Sequence, residues 1–248
     1  ERALQRLGYK TAHSIVDLSR YGIPQNRKRY ILVAVLNGSP QAFFSILRDN
    51  NDSFCVSKGI SNITTTMDAL SDLEKIHGIC PSPDTKGFMA GIYGPIRSGY
   101  QRLMRKDVLA TEDAVDSHRF VKHRKETIIL HENLLTEAPI GKRITPEDDV
   151  VDGLNRRGVT VLDAKSQAPT ITSIPDELVH YREPRILTVR EQARIQGFPD
   201  WFEFKGKYTS GGKRRTQEVP RYTQVGNAVP PLFAEQMGLA LFEVLKNE

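Results

Sequence analysis

Cysteine is scarce in this sequence of 248 residues, and it has no uninterrupted hydrophobic run of membrane-spanning length. Its two cysteines, Cys55 and Cys80, cannot frame a disulfide scaffold, and no Cys-x-x-Cys pair is present. The longest apolar run, residues 30–36, is far shorter than the roughly 20 residues that a membrane helix needs. The first residues carry no signal-peptide pattern. We therefore expect a cytoplasmic, nucleoid-associated protein without a membrane partner.

An excess of one charge is also missing. Lys and Arg number 35 against 30 for Asp and Glu, so the formal net charge is +5. This mildly basic balance permits a polyanionic partner without requiring one. Hydrophobic residues make up 39% of the chain, which is ordinary for a globular protein and excludes a disordered or fibrous class. His118 and His123 have no cysteine near them in sequence, so no metal site is predicted.

The residue patterns predict both strands and helices. Strands rich in Val, Ile and Tyr are predicted at 11–18 and 30–36, and shorter ones at 126–130, 158–162 and 169–174. Helices are predicted at 41–48, 65–73, 188–196 and 230–245. We expect Thr66 to cap the second helix. In the third helix, Thr188 and Glu191 have the spacing of a capping box, and Gly197 would end it.

Three segments carry motifs that are specific when taken together. Residues 21–30 read Tyr-Gly-Ile-Pro-Gln-Asn-Arg-Lys-Arg-Tyr, and residues 187–200 read Leu-Thr-Val-Arg-Glu-Gln-Ala-Arg-Ile-Gln-Gly-Phe-Pro-Asp. Residues 224–231 read Gln-Val-Gly-Asn-Ala-Val-Pro-Pro. In this order the three blocks resemble the later conserved blocks of DNA (cytosine-5)-methyltransferases. The first block alone is a weak match, whereas the second is a strong one.

The resemblance implies an α/β fold class with two parts. Edge elements of a Rossmann-like S-adenosylmethionine methyltransferase sheet would accompany a small, irregular, mostly β target-recognition domain. Residues 1–37 would supply the C-terminal strands of the catalytic domain. Residues 38–222 would form the recognition domain, including the 188–197 helix. Residues 223–248 would be a closing helix that returns to the catalytic domain.

The first block holds the candidate catalytic residues Gln25, Arg27 and Arg29. Guanidinium groups present forks of donors that suit both the carbonyl oxygen of an extruded base and a backbone phosphate. From the resemblance we expect Arg29 to hold the flipped cytosine, with Gln25 and Arg27 shaping the site. A solvated, charged turn is the alternative interpretation.

In the third block, the resemblance implies that Asn227 and Ala228 line the S-adenosylmethionine pocket. Glycine at 226 would let the backbone approach a ligand, and an asparagine side chain is both donor and acceptor. Capping of the following helix by Asn227 is an alternative that is compatible with this role.

Several basic residues are candidates for phosphate contacts, although such clusters are often only solvated faces. In the second block, we expect Arg194 mainly to organise the fold through buried hydrogen bonds, with direct DNA contact as the alternative. The candidate DNA-binding residues are Arg97, Arg102, Arg105, Lys213, Arg214 and Arg215. A further basic cluster comprises Arg119, Lys122, Arg124 and Lys125.

The family's nucleophilic cysteine lies in a Pro-Cys block upstream of the first block. Cys55 has no preceding proline, Cys80 precedes Pro81, and both follow the first block, so we expect structural roles for them. Glu132 and Asn133 mimic the family's acidic block, but out of order. The chain also starts as if within a helix. We therefore expect the catalytic cysteine in a missing N-terminal part, and this chain alone to be inactive.

The main hypothesis is the C-terminal part of a DNA (cytosine-5)-methyltransferase that recognises a duplex sequence and helps hold the flipped cytosine and S-adenosylmethionine. Its partners would be double-stranded DNA and the N-terminal catalytic half, in the same polypeptide or a separate subunit. The alternative is a stand-alone DNA-binding or regulatory subunit of a split methyltransferase without transfer activity. A tRNA methyltransferase is a third possibility, which the long recognition segment disfavours.

Overall fold

The computed structural model describes residues 1–108, 114–154, 157–209 and 218–246. Within these residues the helices are α1 (Arg2–Arg6), α2 (Pro40–Asp49), α3 (Asn51–Ser57), α4 (Thr66–Leu70), α5 (Gly99–Met104), α6 (Lys125–Glu137), α7 (Val189–Ile195), α8 (Arg221–Asn227) and α9 (Pro231–Lys246). The strands are β1 (Lys10–Asp17), β2 (Lys28–Val35), β3 (Ile79–Pro81), β4 (Met89–Gly91), β5 (Arg143–Ile144), β6 (Val159–Val161) and β7 (Leu178–Val179). They form three small sheets, β1–β2, β3–β4 and β5–β6–β7.

The N-terminal hairpin confirms the first two predicted strands to within two residues. β1 and β2 are antiparallel, and Ile15 lies opposite Tyr30 while Val16 lies opposite Arg29. Because side chains alternate along a strand, the hairpin has two different faces. One face buries Val16 and Val33, and on the other Ile15 and Tyr30 are 70% and 58% exposed.

A main hydrophobic cluster joins the N-terminal hairpin, the helices of the middle region and the C-terminal helix. It contains Val33 of β2, Leu70 of α4, Ile195 of α7 and Phe233 of α9. A smaller cluster is separate from it and lies between α6 and the β5–β6–β7 sheet, where Leu134 packs with its neighbours. The chain is thus a mixed α/β protein with one large core and one small core.

Some predicted elements differ from the structure. Residues 126–130 lie inside α6, because the helix-favouring residues that follow outweigh the β-branched pair at 128–129. Residues 169–174 form no strand ladder, since the Gln25 side chain accepts the backbone N–H of Ile171. Helix α4 ends at Leu70 and is capped by Thr65 rather than Thr66. Helices α3, α5 and α8 were not predicted.

The described part of residues 38–222 contains more helix than strand, whereas a mostly β region was expected. Its strands are only two or three residues long, and α2 to α7 separate them. The capping box of α7 is as predicted: the Thr188 hydroxyl accepts from the Glu191 N–H, and Glu191 accepts from the Thr188 N–H.

Residues 221–246 match a membrane-crossing helix in length and hydropathy. The run is interrupted, because Ala228 between α8 and α9 is extended, with φ −69° and ψ 153°. Helix α9 alone has 16 residues, and it buries Phe233, Ala240 and Val244 in the main cluster. The predicted helix at 230–245 corresponds to α9, and no membrane-spanning segment was expected there.

Candidate functional site

The first motif block is attached to the segment that follows residue 167. The Asn26 N–H donates to the Ala168 carbonyl at 2.8 Å, and the Ala168 N–H donates to the Pro24 carbonyl at 3.0 Å. Between these bonds the Gln25 side chain is fully buried, and its Oε1 accepts from the Ile171 N–H at 2.9 Å. Gln25 therefore fixes the backbone around the site rather than facing solvent.

Arg27 and Arg29 lie in very different surroundings. Arg27 is buried, and its Nη1 donates to the Ile171 carbonyl at 3.1 Å and to Gln25 Oε1 at 3.3 Å. Burial and the neighbouring charge of Arg29 lower the pKa of Arg27 to about 10, so it remains protonated at neutral pH. Arg29 is exposed, and its Nη1 donates to the Lys28 carbonyl at 2.8 Å. Of the two guanidinium groups, that of Arg29 is accessible.

The three motif blocks meet at Gln196, which sequence reasoning did not single out. The Gln25 amide donates to Gln196 Oε1 at 2.5 Å. The Gln196 amide donates in turn to the carbonyls of Val225 and Ala228, at 3.0 and 3.1 Å. One buried glutamine thus connects the block of Arg29 to the block of Asn227, although these lie about 200 positions apart.

The α7 helix is held by two buried ion-pair groups. Arg194 pairs with Asp72 and Asp200, at 3.1 and 2.5 Å, as the expected organising role requires. Arg185 forms two hydrogen bonds of 2.7 Å to the Glu191 carboxylate. Paired buried charges satisfy each other, so this helix is a rigid support for the junction at Gln196.

Asn227 and Ala228 lie where α8 ends. Asn227 is exposed, is the last residue of α8 and lies before Pro230, so it does not cap α9. It lines a cavity of about 680 Å³, together with Ser173 and Thr223. The backbone at Gly226 runs against that of Thr172, because a Cβ at 226 would lie 2.5 Å from the Thr172 carbonyl carbon.

The predicted DNA-binding residues fall into three groups. Arg97 and Arg102, beside and within α5, are exposed. Arg105 is instead held inside the fold: its Nη1 lies 3.3 Å from Asp72 Oδ2 and 2.8 Å from the Gly94 carbonyl. The remaining three candidates, Lys213, Arg214 and Arg215, lie outside the described residues.

Neither cysteine is placed as a nucleophile beside Arg29. Cys55 is buried in α3, and burial raises the pKa of its thiol to about 11, which disfavours the reactive thiolate. Cys80 lies on β3, in a different sheet from Arg29. Glu132 and Asn133 are exposed on α6. In the described part of the chain, no three His, Cys, Asp or Glu residues cluster as a metal site would require.

Comparisons with known proteins agree with the motif blocks. The C-5 cytosine-specific DNA methylase family matches residues 2–243. The type II methyltransferase M.XorII of Xanthomonas oryzae is 25% identical over 99% of this chain and 54% of its own length. M.DdeI of Desulfomicrobium norvegicum is 26% identical over 93% of this chain and 54% of its own length. The chain therefore spans about half the length of these relatives.

Two further matches bear on length and fold. M.AquIB of Picosynechococcus is 45% identical over 87 residues, which are 34% of this chain and 62% of M.AquIB, so that protein has only about 140 residues. A solved structure described as a DNA modification methyltransferase encoded within an E. coli prophage aligns with 98% of this chain and 62% of that chain. Its TM-score is 0.62 at 23% identity, which shows a shared fold.

Proposed function

Because the chain belongs to the C-5 cytosine-specific DNA methylase family, we propose that it is the C-terminal part of a restriction-modification DNA (cytosine-5)-methyltransferase. It recognises a specific duplex sequence and helps to hold the flipped cytosine and S-adenosylmethionine, the methyl donor of this family. The catalytic cysteine belongs to an N-terminal part. The protein acts in the cytoplasm, on nucleoid DNA.

The observation that carries this proposal is the junction of the three motif blocks at Gln196. The buried Gln196 side chain anchors Gln25 and the Ala228 carbonyl through hydrogen bonds, while Arg29 and Asn227 stay exposed. The exposed residues are those for which the resemblance implies ligand contacts. A rigid, buried support beneath exposed polar groups is what a positioned binding site needs.

The chemistry assigned to the family divides between the two parts. Cytosine C5 is a poor nucleophile until a cysteine thiolate adds to C6, and the base must first leave the duplex stack. Arg29 would donate hydrogen bonds to the cytosine carbonyl oxygen and hold the flipped base against that thiolate. Gln25 and Arg27 would keep the backbone beneath Arg29 in place. They are buried and are positioning residues.

Asn227 and Ala228 would contact S-adenosylmethionine, which supplies the transferred methyl group when bound. An amide side chain offers both a donor and an acceptor, which fits a polar ligand at the end of α8. Of this pair only Asn227 is exposed, and the Ala228 carbonyl is already used by Gln196. These residues therefore fit one wall of a cofactor pocket.

The N-terminal hairpin supports the proposal of a further catalytic part. Within the described residues its sheet has only two strands, and one face leaves Ile15, Tyr30 and Leu32 exposed. A two-stranded sheet gains stability when more strands or a helix cover it. We call this face the open hairpin face, and we propose that the N-terminal half covers it.

We also propose the domain division at residues 1–37, 38–222 and 223–248. The small hydrophobic cluster supports it, because all its members, among them Leu134 and Val179, lie within 38–222. The 188–197 helix shares the main cluster with Ile23 and Leu232, so it would lie at the junction of the two parts.

Complementation tests this function. This chain should be mixed with the polypeptide encoded immediately upstream, in which a Pro-Cys block is expected, and assayed for methyl transfer to duplex DNA. Wild type should restore transfer. Arg29→Ala should lower turnover by about 100-fold or more while duplex binding changes little. Arg48→Ala, at an exposed arginine of α2, is the matched control. Unchanged turnover in R29A would remove Arg29 from the mechanism.

The second candidate is a separate DNA-binding or regulatory subunit of a split methyltransferase. The length of M.AquIB, about 140 residues, favours it, because a protein shorter than this chain carries the name of a type II methyltransferase. Duplex binding without any complementation would support this candidate. A direct comparison of tRNA and duplex DNA as methyl acceptors would decide the tRNA alternative.

A further inference from the structure

Three cations and two aromatic rings stack alternately beside the Asn227 cavity. Lys122 Nζ lies 5.1 Å from the Phe88 ring centre, and Arg119 Cζ lies 4.2 Å from the same centre. On its other side Arg119 Cζ lies 3.7 Å from the Tyr208 ring centre, and Arg221 Cζ lies 4.3 Å from it. We call this row of five side chains the cation–ring ladder.

One end of the ladder is fully compensated. Arg221 Nη1 lies 2.6 Å from the Asp84 carboxylate, and its guanidinium also donates to Gly206 and Ser117. The Tyr208 hydroxyl donates to the same carboxylate at 3.1 Å. The charge of Arg221 is therefore neutralised inside the protein, and this residue is structural.

Arg119 is different, although it is part of the same stack. Its side chain makes no hydrogen bond or ion pair with any residue that the structure describes, and its buried Nε has no partner. Both faces of the guanidinium are covered by rings, so only its N–H edge is available to bind a ligand. Arg119 lines the 680 Å³ cavity, which Arg157, Ser173 and Thr223 also line.

We propose that Arg119 binds a backbone phosphate of duplex DNA, as a preformed anion subsite of the recognition region; this rests on the proposed function. A guanidinium fork matches two phosphate oxygens, and its clamped plane loses little entropy on binding. Lys122 and Arg157 add positive charge nearby. The cavity also contains Asp176 and Glu218; Glu218 Oε1 pairs with Lys207 at 2.6 Å, whereas its Oε2 is buried without a hydrogen-bond partner among the described residues.

The recessed position of Arg119 favours a phosphate over a base edge. Arg119 is only partly exposed and lies at a cavity wall. Base edges lie inside a groove, so a side chain must protrude to reach them, whereas phosphates project from the duplex surface. A phosphate can therefore meet the N–H edge at the Arg119 wall, in the same cavity whose lining includes Asn227, the proposed cofactor contact.

The test is duplex binding by the 248-residue chain. Binding is measured by fluorescence anisotropy at KCl concentrations from about 50 to about 200 mM. The probes are labelled duplexes of several unrelated sequences. Arg119→Gln should weaken binding about 5- to 10-fold for every sequence and reduce the salt slope by about one. Phe88→Leu removes one ring but keeps the charge, so affinity should fall about 2- to 3-fold with the slope unchanged. The control is Arg48→Gln.

Each outcome decides the proposal. If R119Q binds duplex DNA with the affinity and salt slope of wild type, the subsite proposal is wrong. The proposed function would be unaffected, because complementation tests it separately. A loss confined to one sequence would indicate base contact and overturn the phosphate assignment, as would an effect seen with tRNA alone. Failure of the wild-type chain to bind any duplex would also overturn it.

If R119Q does not fold, phenylglyoxal modification of Arg119 in the wild-type chain tests the proposal instead. Duplex DNA should protect Arg119 from modification, and equal labelling with and without duplex would contradict the proposal.

Discussion

Arg194 and Asp200 form a two-pronged ion pair inside the protein: Nε to Oδ1 is 2.6 Å and Nη2 to Oδ2 is 2.5 Å. Both side chains are fully buried, and Asp72 adds a second carboxylate to the same guanidinium. Arg194 also donates to the Ala69 carbonyl at 2.9 Å. One arginine thus ties α7 to α4 and to the chain that follows α7.

Removing one partner of this pair should strongly destabilise the fold. Asp200→Ala would leave the Arg194 charge buried with half its compensation lost, and a cost of about 3–5 kcal/mol in unfolding free energy is expected. Urea denaturation monitored by circular dichroism measures it. Asp163→Ala is the control, because Asp163 bonds only near the surface. A cost below about 1 kcal/mol would show that the pair adds little to stability.

Two helical glycines make a matched pair of substitutions. A Cβ at Gly226 would lie 2.5 to 2.7 Å from backbone atoms of Thr172 and Ser173, whereas a Cβ at Gly238 of α9 meets nothing within 4 Å. Gly226→Ala should therefore destabilise by about 1–3 kcal/mol, because backbone must move. Gly238→Ala should stabilise by up to about 1 kcal/mol through helix propensity. Equal shifts of the two urea midpoints would contradict this contact.

Local features of this fold could be predicted from the sequence, whereas long-range contacts could not. The capping box at Thr188 and the two hairpin strands follow from short-range patterns. The buried role of Arg194 was also expected. The junction at Gln196 could not be found, because it depends on bonds to residues 25 and 228 that no local pattern specifies.

Burial also distinguishes arginines that look equivalent in the sequence. Arg105 pairs internally with Asp72, Arg29 is exposed, and Arg119 lies clamped between two rings. In the sequence all three are arginines in basic segments. Which of them is available to a ligand depends on the acidic and aromatic residues that the fold brings to each, often from far along the chain.

The fold should lose stability in mild acid because burial lowers the pKa of several histidines, among them His118 and His180. Burial lowers the pKa of His118 to about 4 and that of His180 to about 3, with the charge of Arg185 acting in the same direction and that of Glu191 opposing it. Between about pH 6.5 and pH 4 the unfolded chain binds protons that the folded chain does not. The unfolding free energy should therefore fall by up to about 1.4 kcal/mol per pH unit for each histidine.

Urea denaturation at several pH values across this interval measures that slope. His118→Gln should make the slope less steep, since it removes one of the histidines with a lowered pKa, which also include His123, His131 and His180. His13→Gln is the control, because His13 is exposed on the hairpin. The same slope in wild type and H118Q would show that His118 does not contribute.

The open hairpin face should be required for assembly with the N-terminal half but not for folding of this chain. Ile15 is 70% exposed and lies opposite Tyr30, so Ile15→Glu places a charge on the open hairpin face without disturbing the buried side of the sheet. Burying an unpaired carboxylate against an apolar partner costs several kcal/mol, so complementation of methyl transfer should fall by about 100-fold or more. The circular dichroism spectrum and urea midpoint should match those of wild type.

Ile76→Glu, at a residue 83% exposed elsewhere on the surface, is the matched control and should complement normally. If I15E complements as well as I76E, the catalytic half does not cover this face.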